Sequence, residues 1–240
     1  MTEQRGPIDD GPWPDHMTTR VCSPGSAPRI HGYGVDDDLA VHYGATERLY
    51  LAWTGQLPEG PQARLLDTSL GFASAIHAGD GPTWAAITAR LAGGHDGAWM
   101  STGSIVLLEE GEAWSRRLSP LAELSPWAHG PLSPEAREAV RPDDAPSGER
   151  ALAFVAALEQ AGLRSFASEG APEGWGLEAL LVWTWCGLGF RRPRLWTALW
   201  FQARWPVLVA EAARMKPSAF RTYPMNLPPF AYEDPNRDGA

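Results

Sequence analysis

Apolar side chains recur at every third or fourth position along most of this chain, and nowhere do they alternate convincingly, so the pattern predicts helices. Asp36-Asp37-Asp38 ahead of Leu39, Ala40 and Val41 predicts a capped helix start with an acidic first turn. A helix over 46–54, carried by Leu49, Tyr50, Leu51 and Trp53, is expected to stop at Gly55, with Pro58 beyond it. Leu65, Leu66, Leu70, Ala73 and Ile76 place a second helix over 61–77, broken by Gly79-Asp80-Gly81-Pro82. Helices over 83–92 and 96–110 follow, separated by Gly93-Gly94.

The texture then changes. Prolines at 120, 126, 131, 134, 142 and 146 predict an irregular segment over 119–148 with one short helix at 134–140. A helix over 147–161 closes at Gly162, and 170–176 is another break. The most apolar helices come last, over 177–188 and 195–215, with Pro193 and Pro217 at their ends and a kink expected at Pro206. Before residue 30 the chain reads as a loose arm, and from Pro217 as an extended tail. Helices joined by short Gly/Pro breaks, without an internal repeat, give an all-α fold.

Composition narrows the function classes. The 240 residues are 44 % apolar, enough for a full hydrophobic core. Twenty basic residues against 29 acidic ones leave a net charge of −9, with no basic run, which argues against nucleic-acid binding. Cys22 and Cys186 have neither metal-ligand nor redox spacing, as suits a reducing cytoplasm. No apolar leader and no run long enough to span a bilayer can be read, so no membrane association is expected. Trp183, Trp185, Trp196, Trp200 and Trp205 crowd the last helices. Core or interface packing is the default use of such rings, and an aromatic-walled pocket is the alternative.

The chain carries no phosphate loop, dinucleotide fingerprint, nucleophile elbow or H-E-x-x-H. The six histidines lack ligand spacing. His77 and Asp80 stand at i, i+3, and without a third ligand they read as turn or cap residues rather than a metal site.

Two blocks change the picture. Arg29-Ile30-His31-Gly32-Tyr33-Gly34-Val35-Asp36-Asp37-Asp38-Leu39 resembles the R-x-x-G-Y-D-x-x-D-L motif of citrate synthases. Tyr50-Leu51-Ala52-Trp53-Thr54-Gly55-Gln56-Leu57-Pro58 resembles that family's Y-L-L-x-T-G-E-L-P, in the same order and separation. Gly187-Leu188-Gly189-Phe190 with Phe201-Gln202-Ala203-Arg204, and the end Asn226-Leu227-Pro228-Pro229-Phe230, are similar to its C-terminal blocks. The likeness covers roughly 29–112 and 174–233, and is closest to the short citryl-CoA lyase-like members. It implies an all-α citrate synthase-like fold, a large helical domain with a small reduced lobe. The arm then spans 1–28, the domain 29–233 with its irregular small-lobe segment at about 113–173, and a tail 234–240.

The resemblance also implies a homodimer acting on a small carboxylate-bearing or acyl substrate, joining or splitting a carbon–carbon bond. A coenzyme A thioester is the acyl substrate the family uses; no other cofactor and no metal is indicated. Such chemistry needs a carboxylate base, neutral donors for the enolate and ketone oxygens, and arginines for substrate carboxylates. Position by position, Asp80 stands where the family has its first histidine, and His77 lies three residues earlier. Glu110-Gly111-Glu112-Ala113 replaces H-G-G-A, removing the histidine and the paired glycines. Glu178 falls near the family's aspartate base, and an ordinary first-turn glutamate would sit there too. Arg204 matches a carboxylate-binding arginine, and Arg221 lies where a further one from the partner subunit comes. An ionised Asp80 would repel an enolate. The expectation is therefore a divergent enzyme of acyltransferase or lyase type, not a standard citrate synthase. The alternative is an inactive homologue serving as a binding or partner subunit.

Overall fold

A computed structural model of the protein describes residues 19–122, 134–141, 145–163 and 174–216. The start of the arm, residues 123–133 and 142–144 of the proline-rich segment, residues 164–173 at the next break and the tail with Arg221 lie outside the described residues. The chain forms two compact units, one ending at Glu59 and the other beginning at Gly60.

In the first unit, β1 (Cys22–Ser23), β2 (Arg29–Ile30) and β3 (Tyr33–Gly34) form an antiparallel sheet in that order. Two-residue strands are too short to alternate, so the hydrophobic pattern could not announce them. His31 (φ 48°) and Gly32 (φ 92°) make the β2–β3 turn, both in the left-handed region that a tight hairpin favours. Arg29 Nη1 donates to Gly32 O at 2.9 Å across that turn. The acidic run does not cap a regular helix. Val35–Leu39 is a single π-helical turn leading into α1 (Ala40–His42), and Gly34 at its start supplies no side-chain cap.

Helix α2 (Ala45–Thr54) opens with Gly44 N–H donating to Glu47 Oε2 at 2.7 Å. It closes as the glycine signal requires, with Gly55 at φ 79° donating to Leu51 O. The His31 ring nitrogen meets Ala52 O at 3.3 Å. A Cβ on Gly55 would stand 3.6 Å from the same ring. The two sequence blocks that carry the family resemblance thus touch each other.

The second unit contains α3 (Gln62–Ala73), α4 (Gly81–Leu91), α5 (Asp96–Arg117), a 3-10 turn (Ser119–Ala122), α6 (Pro134–Ala139), α7 (Ala145–Gln160), α8 (Leu177–Gly187) and α9 (Pro193–Arg214). Helix α9 packs on α5, α4 and α3, while α8 lies against α3 and α7. Residues Ala179 to Cys186 of α8 are all buried, which is why its sequence is apolar all round rather than amphipathic. The C-terminal tryptophans serve packing: Trp185 and Trp196 are fully buried, and Trp114 lies 5.0 Å from Trp200 and 6.2 Å from Trp185. Trp185 Nε1 donates to Ser69 Oγ at 2.9 Å, satisfying its polar atom inside the core.

Antiparallel helices α5 and α9 meet along one seam. A Cβ on Gly103 would come within 2.9 Å of Ala86 Cβ and Leu208 Cδ2, so only glycine lets α4, α5 and α9 close there. Further along, Trp205 Nε1 donates to Ser104 Oγ at 3.0 Å, and Ser115 and Thr197 share a buried 3.0 Å hydrogen bond. Two boundaries differ from the pattern reading. Helix α5 runs past 110 to Arg117 because Gly111 is an interior packing position, not a stop. Helix α3 ends at Ala73 rather than 77, for a reason that lies in the site described next.

Candidate functional site

The last carbonyls of a helix have no partner inside it. At the C-terminal end of α3, two arginines from distant helices supply partners. Arg204 Nε on α9 donates to Ala73 O at 3.0 Å, and Arg150 Nη2 on α7 donates to Phe72 O. Ser74 Oγ closes the turn onto Gly71 O at 2.7 Å. Cations at this end also oppose the helix dipole. The chain then leaves the helix, and residues 75–80 form the loop that carries His77 and Asp80.

Arg204 is 8 % exposed. Its Nη1 donates to Glu110 Oε1 on α5 at 3.0 Å, and its guanidinium lies 3.6 Å above the Trp200 ring one turn earlier on α9. Burial pulls the Arg204 pKa down; Glu110, Asp80 and Glu178 push it back up, and the neighbouring Arg150 lowers it again. A guanidinium stays charged through such shifts. Glu110 has the opposite conflict. Burial raises its pKa above the ordinary carboxylate value, the Arg204 charge opposes this, and the charges of Asp80 and Glu178 add to it. The Trp200 indole N–H lies near enough to favour the Glu110 anion, yet it makes no hydrogen bond of normal geometry.

The sequence-predicted residues sort as follows. Arg204 is at the centre. Asp80 stands at the start of α4 but does not cap it: Oδ2 accepts from His77 N–H at 2.9 Å and Oδ1 faces His77 Nε2 at 3.3 Å. Its charge still bears on both Glu110 and Arg204. His77 is outside any helix, with a side chain 64 % exposed, and so faces water more than the buried pair. Glu178 occupies the first turn of α8, where an acidic side chain suits the helix dipole. It accepts from Ser147 Oγ at 2.8 Å, and that buried hydroxyl accepts Leu177 N–H at 3.2 Å. Arg221 lies outside the described residues.

Three participants were not singled out by sequence. Arg150 looked like any charge on an amphipathic helix, and Trp200 like one core ring among several. Glu110 was noted only for the histidine it replaces. No local signal marks the Glu110–Arg204 pair, since its members are 94 residues apart. The charges of Asp80, Glu110 and Glu178 bear on Arg204, as does that of Arg150, three potential negative charges against two fixed positive ones. Among the described residues no group of three acidic, histidine or cysteine side chains could hold a metal ion. The donors on offer are the remaining Arg204 N–H groups and the Trp200 N–H. The candidate proton carrier is Glu110, whose burial raises its pKa above the ordinary carboxylate value.

The all-α arrangement has a solved counterpart. Citryl-CoA lyase from Hydrogenobacter thermophilus matches with a TM-score of 0.59 over 91 % of this chain and 96 % of that one, at 18 % identity. The fold is citrate synthase-like. At that identity the likeness establishes the shared fold, while the site residues above rest on their own geometry. No protein-family model matches the sequence, and no curated protein matches it by sequence. No described helix is long and apolar enough to cross a membrane.

Proposed function

We propose that this chain is a divergent citrate synthase-like enzyme of acyltransferase or lyase type, acting on a carboxylate-bearing or acyl substrate at Arg204. The observation that carries this reading is a buried arginine paired with Glu110, on which the charges of Asp80 and Glu178 from two further elements also bear. A buried guanidinium with unused N–H groups is suited to a forked substrate carboxylate. Glu178 and Asp80 stand ready as acid–base groups, with His77 behind Asp80. Proton transfer at an acyl carbon, whether the carbon–carbon bond is formed or broken, is the chemistry such a set could run. A coenzyme A thioester is the acyl donor suggested by the fold and by the structurally similar citryl-CoA lyase. A cytoplasmic homodimer, with Arg221 reaching the partner's site, completes the reading.

One observation favours a second reading. Arg204 is already engaged by Glu110 and by the end of α3, as a purely structural arginine would be. The chain would then be a catalytically inactive homologue serving as a binding or partner subunit.

Thermal-shift measurements with coenzyme A thioesters and small mono-, di- and tricarboxylates separate the two, because a ligand of the folded state raises Tm. Arg204→Lys keeps the charge but loses the fork. On the enzyme reading, a carboxylate or thioester stabilises the native protein and stabilises Arg204→Lys much less, each compared with its own ligand-free Tm. Turnover of that ligand class then follows. A panel in which nothing shifts the native protein would leave the binding-subunit reading in place.

A further inference from the structure

The donors of Arg204 are nearly spoken for. Nε is on Ala73 O, the flat face is on Trp200, and Nη1 is on Glu110, which leaves Nη2 and one Nη1 hydrogen for anything that enters. A ligand carboxylate seated in a two-pronged pair would share Nη1 with Glu110 and bring two anions onto one nitrogen. The surroundings make this worse. The charged groups that bear on Glu110 are Arg204 from α9, Asp80 from the turn before α4 and Glu178 from α8. Arg150 from α7 is the further cation that bears on Arg204. A ligand carboxylate would raise the balance to four negative charges against two positive.

Resting on the carboxylate-site reading above, we propose that Glu110 is an internal competitor: a ligand carboxylate reaches Arg204 only as Glu110 takes up a proton from solvent and lets the guanidinium go. The exposures suit the exchange. The Glu110 side chain is 36 % exposed and Arg204 only 10 %, so protons and water reach the acid while the arginine stays fixed. Burial raises the Glu110 pKa, which makes a proton easier to take up than at an ordinary carboxylate. The Trp200 N–H, in a residue 3 % exposed, makes no hydrogen bond of normal geometry and, once Glu110 is neutral, provides a second donor for the incoming oxygen. Ligand binding at this site is therefore coupled to pH, with affinity falling as pH rises.

The test is calorimetric titration of the native protein with acetate and with malate between pH 6.5 and 8.5, where both are ionised. Each is repeated in two buffers of different ionisation enthalpy, which reports protons taken up. The expected result is uptake approaching about one proton per ligand, and Kd rising by up to about tenfold per pH unit. Glu110→Gln, which cannot carry the charge, should bind more tightly than the native protein at pH 8.5 and without proton uptake. His77, the other proton acceptor near the cluster, is removed by His77→Gln, in which uptake should persist. Binding by the native protein without proton uptake, or uptake retained in Glu110→Gln, would overturn the competitor role and leave the carboxylate site standing. No binding of either probe to any form at any pH would overturn both.

Discussion

The seam between α5 and α9 has two ends built by the same device and put to different uses. At Gly103 the missing side chain lets Leu208 and the α4 backbone close in, leaving an apolar contact with nothing to titrate. Around Gly111, where a Cβ would meet Thr197 Cγ2 at 3.1 Å and Trp200 Cδ1 at 3.3 Å, the close approach brings Glu110 and Arg204 face to face. One end holds the helices together; the other uses their proximity to keep a charged pair half out of water. The comparison teaches that glycine spacing reports closeness, and that the neighbouring residues decide whether the closeness is structural or chemical.

The largest effect should come from breaking the charged end. Arg204→Ala removes the Glu110 partner, the Ala73 carbonyl's donor and the contact on Trp200 together. About 3 kcal/mol of stability should be lost, at the lower end for a buried pair because Glu110 keeps contact with water. Urea unfolding at neutral pH measures this; a loss within experimental error would mean that the pair is bystander geometry.

Next comes Gly103→Ala, where the new methyl has no space and one neighbour is the Pro82 carbonyl at 3.2 Å. A net cost of about 1–2 kcal/mol is expected, after an offset of roughly 1 kcal/mol from better helix propensity. At Gly111 the nearest atom is a threonine methyl and not backbone, so Gly111→Ala should cost under about 1 kcal/mol. If the order of these two alanine variants is reversed in urea unfolding, the charged end is the more tightly packed one, and the contrast drawn above fails.

The smallest effect sharpens the electrostatic side. Native Glu110 holds its proton to higher pH than the unfolded chain does, since burial raises its pKa. Its contribution to stability is therefore complete below the unfolded carboxylate pKa and is lost as pH rises through the native value. Unfolding midpoints of the native protein should fall relative to Glu110→Gln across that interval and run parallel to it above. A native-minus-variant difference that rises with pH would mean that the ion pair with Arg204 outweighs burial.

Sequence alone carried much of the fold in this protein, because its helix boundaries are written locally. Gly55, Gly79 to Pro82, Gly93-Gly94 and Gly162 each stop or separate helices through backbone freedom or a missing N–H, and these act without reference to the rest of the chain. The two blocks that carry the motif resemblance are also in contact, since the His31 ring reaches Ala52 O and lies beside Gly55. What the pattern missed had no local period to show. The strands were two residues long, and Val35–Leu39 wound as a wider turn than its acidic run suggested.

The site was legible only in part. Arg204, Asp80 and Glu178 could be named from their places in family-like blocks. Glu110 as the arginine's partner, Arg150 on the end of α3 and the Trp200 N–H beside Glu110 could not, because each depends on which helix lies opposite. Propensity and turn chemistry act over a few residues, so the chain itself determined where most of its helices begin and end, the end of α3 and the extension of α5 excepted. Charge pairing, burial and the pKa shifts that follow act through space, so only the tertiary structure decided that Glu110 would meet Arg204.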